Sequence, residues 1–349
     1  MRSFLLALCA FLLGFGAMAG WHALHALPAQ GAQHATTNAS AAIAPAPARS
    51  VASGDDTGPA PADSSALLPD QDWPHDAPTP EQVLYSQPDL LDKAIAQLKP
   101  RTPGKVNLYA IAFGGDGAES VFRNEAEYLQ RLFASRFDAA GHVLVLENNP
   151  ATLATHPLAD WSNLETALDA VASRMDPRQD ILLLYFTTHG SEDHTLLVDM
   201  DPLPLDQIGA RDLPGILAEH PFRHRVVIVN ACYSGGFIPP LRDRGTMIIT
   251  AARADRSSFG CGSQSQLTWF GHAFLVDALN KIADFHQAFD DARAEVAAWE
   301  TRDHYTPSDP QLYAGADIAA QLAKWRAGFV PGAALPFTPA PASNSARPR

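Results

Sequence analysis

Two residues of this chain have types suited to nucleophilic chemistry, and each stands at the end of an apolar run. Cys232 follows Val226, Val227, Ile228 and Val229 in RVVIVNACYSGGF, and His189 follows the run from Ile181 to Phe186 in DILLLYFTTHGSED. A thiol is mostly protonated at neutral pH, so a cysteine nucleophile needs an imidazole or a helix N-terminus to supply the anion or take its proton. Attack on a carbonyl then builds an oxyanion, for which the backbone N–H groups of Cys232 and Gly190 are the candidate donors. A side chain at 190 would obstruct that carbonyl. Each half alone has a plainer reading, because a free cysteine packs as a small hydrophobe and a lone His-Gly is a turn. Their pairing on two similar runs is what points to catalysis.

The elements that must position the pair follow from the same runs. Four consecutive β-branched residues before Cys232 predict a parallel strand buried on both faces, and open α/β sheets hold their sites at the carboxyl ends of such strands. The 43 positions from His189 to Cys232 accommodate one crossover helix between neighbouring strands. Ser234, Gly235 and Gly236 predict a tight turn into a helix whose amides face the sulfur.

Upstream, KVNLYAIAF (Lys105 to Phe113) reads as a first strand, and a helix runs from Ser120 to about Phe137 with Val121, Leu129, Leu132 and Phe133 at helical spacing. HVLVLEN is a second strand, and SNLETALDAVASRM is a helix with Ser162 and Glu165 as a capping box. LLVDMDPLPL reads as a small hairpin. Its Asp199, Asp201 and Asp206 are solvated turn carboxylates rather than a calcium loop, since Pro202 and Pro204 interrupt that pattern. ARDLPGILAEH is a further helix, GTMIITAA (Gly245 to Ala252) a strand, and LTWFGHAFLVDALNKI and FHQAFDDARAEVAAWE two more helices. SDPQLYAGADI adds a short last strand. GGDGAES lacks the third glycine of a dinucleotide loop and any following Gly-Lys, so it is either a sharp turn or a loop lining the cleft. The βα alternation predicts an α/β fold.

A formal charge of −13 over 349 residues, with no clustered patch among 25 Lys and Arg, argues against a nucleic-acid partner and for a peptide or protein substrate. Three cysteines make no disulfide scaffold. No cofactor or metal is implied, and oligomeric state is not legible. Arg2 followed by an apolar run from Phe4 to Trp21 is an export segment, either cleaved after Ala17-Met18-Ala19 or kept as an inner-membrane anchor. The expected location is therefore periplasmic or otherwise extracytoplasmic. The expected organisation is a leader over 1–25, a disordered Ala/Pro-rich linker over 26–80, a folded domain over 81–330 and a disordered tail over 331–349.

FTTHGSED and VVIVNACYSGG resemble the His-Gly and Ala-Cys segments of the legumain family of cysteine peptidases, relatives of caspases and gingipains, in an exported bacterial type. The similarity continues through TAARADRSSFGCG, LTWFGHAF and SDPQLYAG. It implies a caspase-like three-layer sandwich with a mostly parallel central sheet flanked by helices. It also implies Cys232 as nucleophile, His189 as general acid and base, and Gly190 with Cys232 as oxyanion donors. The implied activity is a cysteine endopeptidase acting through a thioester, with a transamidase on the same pair, or a silent membrane-tethered binding module, as alternatives. Arg123 falls where the family has a P1-pocket arginine, Asn230 where a pocket glutamate is usual, and His272 where an aspartate is usual. Keeping the arginine without either carboxylate implies a preference for an acidic or small polar P1 residue. Plainer readings make Arg123 a surface residue, Asn230 a brace for the nucleophile loop, and His272 a helix histidine. Cys261 is a conceivable disulfide partner of Cys232.

Overall fold

The computed structural model describes residues 73–74, 77–262 and 264–339, all within the unit Ser65–Arg349. The expected leader, nearly all of the linker and residues 340–349 lie outside the described residues. Among the described residues no helix is long and apolar enough to cross a membrane.

In chain order the elements are α1 (Pro80–Ala96), β1 (Leu108–Gly114), α2 (Ser120–Arg136), β2 (Val143–Glu147), α3 (Trp161–Arg174) and β3 (Ile181–Thr187). A two-stranded excursion follows, β4 (Thr195–Leu196) with β5 (Ile208–Gly209), then α4 (Leu213–Ala218) and β6 (His224–Asn230). The second half holds α5 (Ile238–Leu241), β7 (Thr246–Thr250), α6 (Trp269–Gly271), α7 (Phe285–Arg302), β8 (Gln311–Ala314) and α8 (Ala316–Arg326). Six strands form one sheet in the order β2-β1-β3-β6-β7-β8, parallel throughout except for β8, which runs antiparallel to β7. Helices cover both faces. The fold is the expected three-layer α/β sandwich.

The layers follow from strand periodicity, since successive side chains point to opposite faces. Leu183, Tyr185, Val226 and Ile228 pack on one side with α2, α7 and α8. Leu182, Leu184, Val227 and Val229 pack on the other with α1, α3 and α4. Val226 to Val229 are all fully buried. In the register between β3 and β6, Thr187 lies opposite Asn230. His189 and Cys232 each sit two residues beyond those partners, at the carboxyl ends of adjacent strands.

Local details depart from the sequence reading. The capping box from Ser162 and Glu165 does not form: Asp160 caps α3 by accepting from the Asn163 amide at 2.8 Å. Glu165 accepts instead from Trp161 Nε1. The segment after α6 winds as a wider π-helix over His272–Ala278, with the Leu279 amide donating to the Phe274 carbonyl. Past the expected boundary at 330 the chain still packs. Leu335 and Phe337 lie against the core, and the Leu335 carbonyl accepts from Tyr128 Oη at 2.8 Å and Asn280 Nδ2 at 2.7 Å.

Candidate active site

The ends of β3 and β6 come together so closely that position 190 admits only glycine. A Cβ there would lie 2.2 Å from the Cys232 carbonyl oxygen and 3.2 Å from Ala231 Cβ. The β3 end is pinned on its other side by the hairpin. Leu197 donates its amide to the His189 carbonyl at 3.0 Å, and Thr188 Oγ1 donates to the Leu197 carbonyl at 2.6 Å. The ladder thus extends beyond Thr187 and holds the backbone of His189 and Gly190 beside that of Cys232.

Beyond Cys232 the chain turns sharply. Tyr233 takes a left-handed φ of 56°, and its amide donates to the Arg256 carbonyl at 2.7 Å. Gly235 approaches the 253–254 backbone, where a Cβ would lie 2.4 Å from the Ala254 nitrogen. These contacts bring the segment after β7 alongside Cys232, and the Ser258 amide donates to Cys232 Sγ at 3.2 Å. The helical turn expected after Ser234 is a single 3₁₀ turn, Ser234–Phe237, so the Ser258 amide rather than a helix N-terminus supplies this donor. Cys232 and Cys261 are both free thiols. Burial, with the Cys232 thiol as a lesser cause, pushes the Cys261 thiol up to about 11.

His189 is about one-third exposed and rests edge-on against Phe122, ring centroids 5.2 Å apart. Its Nε2 lies 3.5 Å from Asp116 Oδ2 and 3.5 Å from Glu119 Oε2. Both carboxylates come from the loop GGDGAES, the reading of that loop as lining the cleft. Asp116 is buried, and its Oδ1 accepts the Ala118 amide at 2.8 Å. Burial first, then the neighbouring Glu119, raises its carboxyl to about 6. One atom from each of Asp116, Glu119 and His189 falls within 4.8 Å of the others, a set that a cation would accept. The same geometry serves equally to orient an imidazole through Nε2.

Beneath the site lies a carboxylate that sequence reasoning passed over. Glu125 is fully buried, and its Oε2 accepts from Tyr185 Oη at 2.8 Å, Thr187 Oγ1 at 2.6 Å and Asn230 Nδ2 at 2.7 Å. Its Oε1 accepts from both the amide and the Oγ1 of Thr268, each at 2.7 Å. Burial pushes the Glu125 carboxyl up, and the bonds from Thr187 and Thr268 pull it down. Thr187 and Asn230 stand two residues before His189 and Cys232, so this one side chain ties both strand ends to α2. Its signal in the sequence was only an acidic residue on the apolar side of a helix, four positions before Leu129.

The P1 pocket expected from Arg123, Asn230 and His272 is not assembled by these contacts. Asn230 is 1% exposed, and its amide is committed to Glu125, Tyr185 and Thr268. It is therefore a brace for the nucleophile strand. Arg123 is nearly buried and pairs with Glu127 at 2.8 Å. His272 stacks on Trp299 with centroids 5.7 Å apart, and its Nδ1 lies 3.6 Å from Asp277.

A thiol and an imidazole stand at the carboxyl ends of adjacent parallel strands inside a three-layer sandwich, an arrangement suited to nucleophilic chemistry. Residues 158–319 match the Peptidase C13 family, the legumain family, so that segment is similar to cysteine peptidases of this type. Among solved structures the chain is similar to Caspase-1 from Spodoptera frugiperda, with a TM-score of 0.43 and 15% identity, covering 60% of this chain and 87% of that one. No curated protein matches the chain.

Proposed function

We propose that the protein is a cysteine endopeptidase that cuts peptide bonds through a Cys232 thioester, with His189 as general acid and base. The observation that carries this reading is the close approach of the His189–Gly190 backbone to Cys232, where a Cβ on Gly190 would lie 2.2 Å from the Cys232 carbonyl oxygen. In the reaction His189 takes the thiol proton, Sγ attacks the carbonyl carbon, and the oxyanion is held by the amides of Gly190 and Cys232. The imidazolium returns its proton to the leaving amine, and water, deprotonated by the same ring, hydrolyses the thioester. Asp116 and Glu119 face Nε2, which leaves Nδ1 for the proton being moved. The two carboxylates hold the ring from one side, and the Ser258 amide holds the sulfur. The apolar leader read in the sequence supports an extracytoplasmic site of action.

The test is hydrolysis of a P1-scanning fluorogenic peptide library by the reduced protein, beside Cys232→Ala and Asp116→Asn. Release that depends on Cys232 is expected. In Asp116→Asn kcat/KM should fall, because the imidazole loses one of the two carboxylates that orient it. Absence of Cys232-dependent release from every peptide overturns the proposal. Adding a primary amine during turnover separates hydrolysis from acyl transfer.

A further inference from the structure

At the end of the sheet opposite the thiol, where β1, β3 and β6 begin, lies an open cavity of about 650 Å³. Its wall carries four cationic side chains, Lys105, Arg178, Arg223 and Lys324, against two carboxylates, Asp176 and Asp317. This local excess of positive charge stands out in a chain whose formal charge is −13. Both carboxylates are already engaged. Asp317 pairs with Arg244 at 2.8 Å, outside the cavity, and Asp176 Oδ1 accepts the Arg178 amide at 3.0 Å. Lys105 pairs with Asp138. Among the described residues Arg178, Arg223 and Lys324 make no ion pair within 4.0 Å, although Arg223 is near enough to Asp317 to help Arg244 hold its carboxyl below the usual value.

His224, the first residue of β6, is a second and independent sign of a missing negative partner. It lines the cavity at 6% exposure, and its Nδ1 is buried without a hydrogen-bond partner among the described residues. Burial first, then Arg223, pushes its pKa below the usual histidine value. Asp317 and the Arg178 backbone act the other way on this ring, but Asp317 is already paired with Arg244, so an anion in the cavity would meet Arg223, Lys324 and the unpartnered Nδ1 together.

We propose that this cavity is a second binding site that takes a small phosphorylated anion. Two guanidinium groups offer planar forks that match phosphoryl oxygens, and the lysine ammonium adds a point charge. The volume falls within the ~300–1,000 Å³ usual for small-molecule sites. Arg223 directly precedes β6, whose far end leads into Cys232. The seven residues of β6 separate ligand from nucleophile by roughly 20 Å.

The experiment is titration calorimetry of the full chain with inorganic pyrophosphate and with phosphate, at an ionic strength of about 50 mM to limit screening. Saturable binding of pyrophosphate at one site is expected, weakened by about tenfold or more in Arg223→Ala/Lys324→Ala. Both residues are exposed, so the variant should melt with the parent, and Arg178→Ala provides a second exposed variant with the same expectation. Arg131→Ala, a cation remote from the cavity, should bind as the parent does. Vesicles bearing phosphatidic acid form a parallel arm. Binding of the soluble probe points to a free phosphorylated ligand, and binding of vesicles alone, lost in the double variant, points to a lipid headgroup. No saturable binding of phosphate, pyrophosphate or vesicles, or binding unchanged in a folded double variant, overturns the proposal.

Discussion

Replacing Gly190 by alanine tests the alignment of the two strand ends directly. Gly190 does not have a positive φ, so alanine meets no backbone penalty there, and its effect is steric. The added Cβ would stand 2.2 Å from the Cys232 carbonyl oxygen, where ordinary contact begins at 3.4 Å, so the two backbones must part by about 1.2 Å. A displacement of ~1 Å between reacting groups costs on the order of 10²-fold in rate, and a lost oxyanion donor costs about 10²–10³-fold. The fall in kcat/KM should therefore reach about 10²–10³-fold, or roughly 3–4 kcal/mol of transition-state stabilisation. Overpacking should lower stability by about 1–3 kcal/mol, which leaves a folded protein to assay. The measurement is kcat/KM on the best peptide of the library, with alkylation of Cys232 by iodoacetamide and thermal melting in parallel. Alkylation should persist, because the thiol itself remains. A folded Gly190→Ala protein whose kcat/KM stays within about threefold of the parent refutes the argument that this contact sets the site.

Glu125→Ala strands five donors, those of Tyr185, Thr187, Asn230 and Thr268, and should destabilise by about 3–5 kcal/mol. A melting temperature unchanged by that substitution would show that the carboxylate braces nothing. Glu147 is raised to about 8 by burial and by Glu127, so the folded protein binds its proton more tightly than the unfolded chain does. Stability from this group is full below about 4.5 and is lost as pH rises through 8, and Glu147→Gln should be the more stable protein at pH 9 by a few kcal/mol. Chemical denaturation at pH 5 and pH 9 checks this, and equal differences at both pH values would contradict it. Ending the chain at residue 330 removes Leu335 and Phe337 from the core and strands the Tyr128 hydroxyl and the Asn280 side chain, at a cost of about 2–4 kcal/mol. Denaturant titration should show a lower midpoint, and an identical midpoint would mean these contacts are incidental.

The sequence by itself determined the layered sheet and the placing of His189 and Cys232 at one end of it. Val226 to Val229 and Ile181 to Phe186 are apolar at every position, a pattern that only a strand covered on both faces can satisfy, and both runs are buried in parallel strands. Because such strands end in short turns, the residues just past them, His189 and Cys232, fall at one edge of the sheet. The tertiary structure alone decided what surrounds that pair. Asp116 and Glu119 reach His189 from a loop some 70 positions upstream, and Ser258 reaches Cys232 from a segment 26 positions downstream. No local periodicity records such approaches, since they depend on how separate loops stack over the sheet edge. The same reason moved Asn230 out of the expected pocket. Its place on β6 was legible, but the fully buried Glu125 waiting beneath it belongs to another helix, and a hydrogen bond across two layers leaves no trace in the spacing of either segment. The packed residues beyond 330 teach the complementary lesson, because Pro- and Ala-rich composition describes what a segment could do alone and not the groove that the rest of the chain provides.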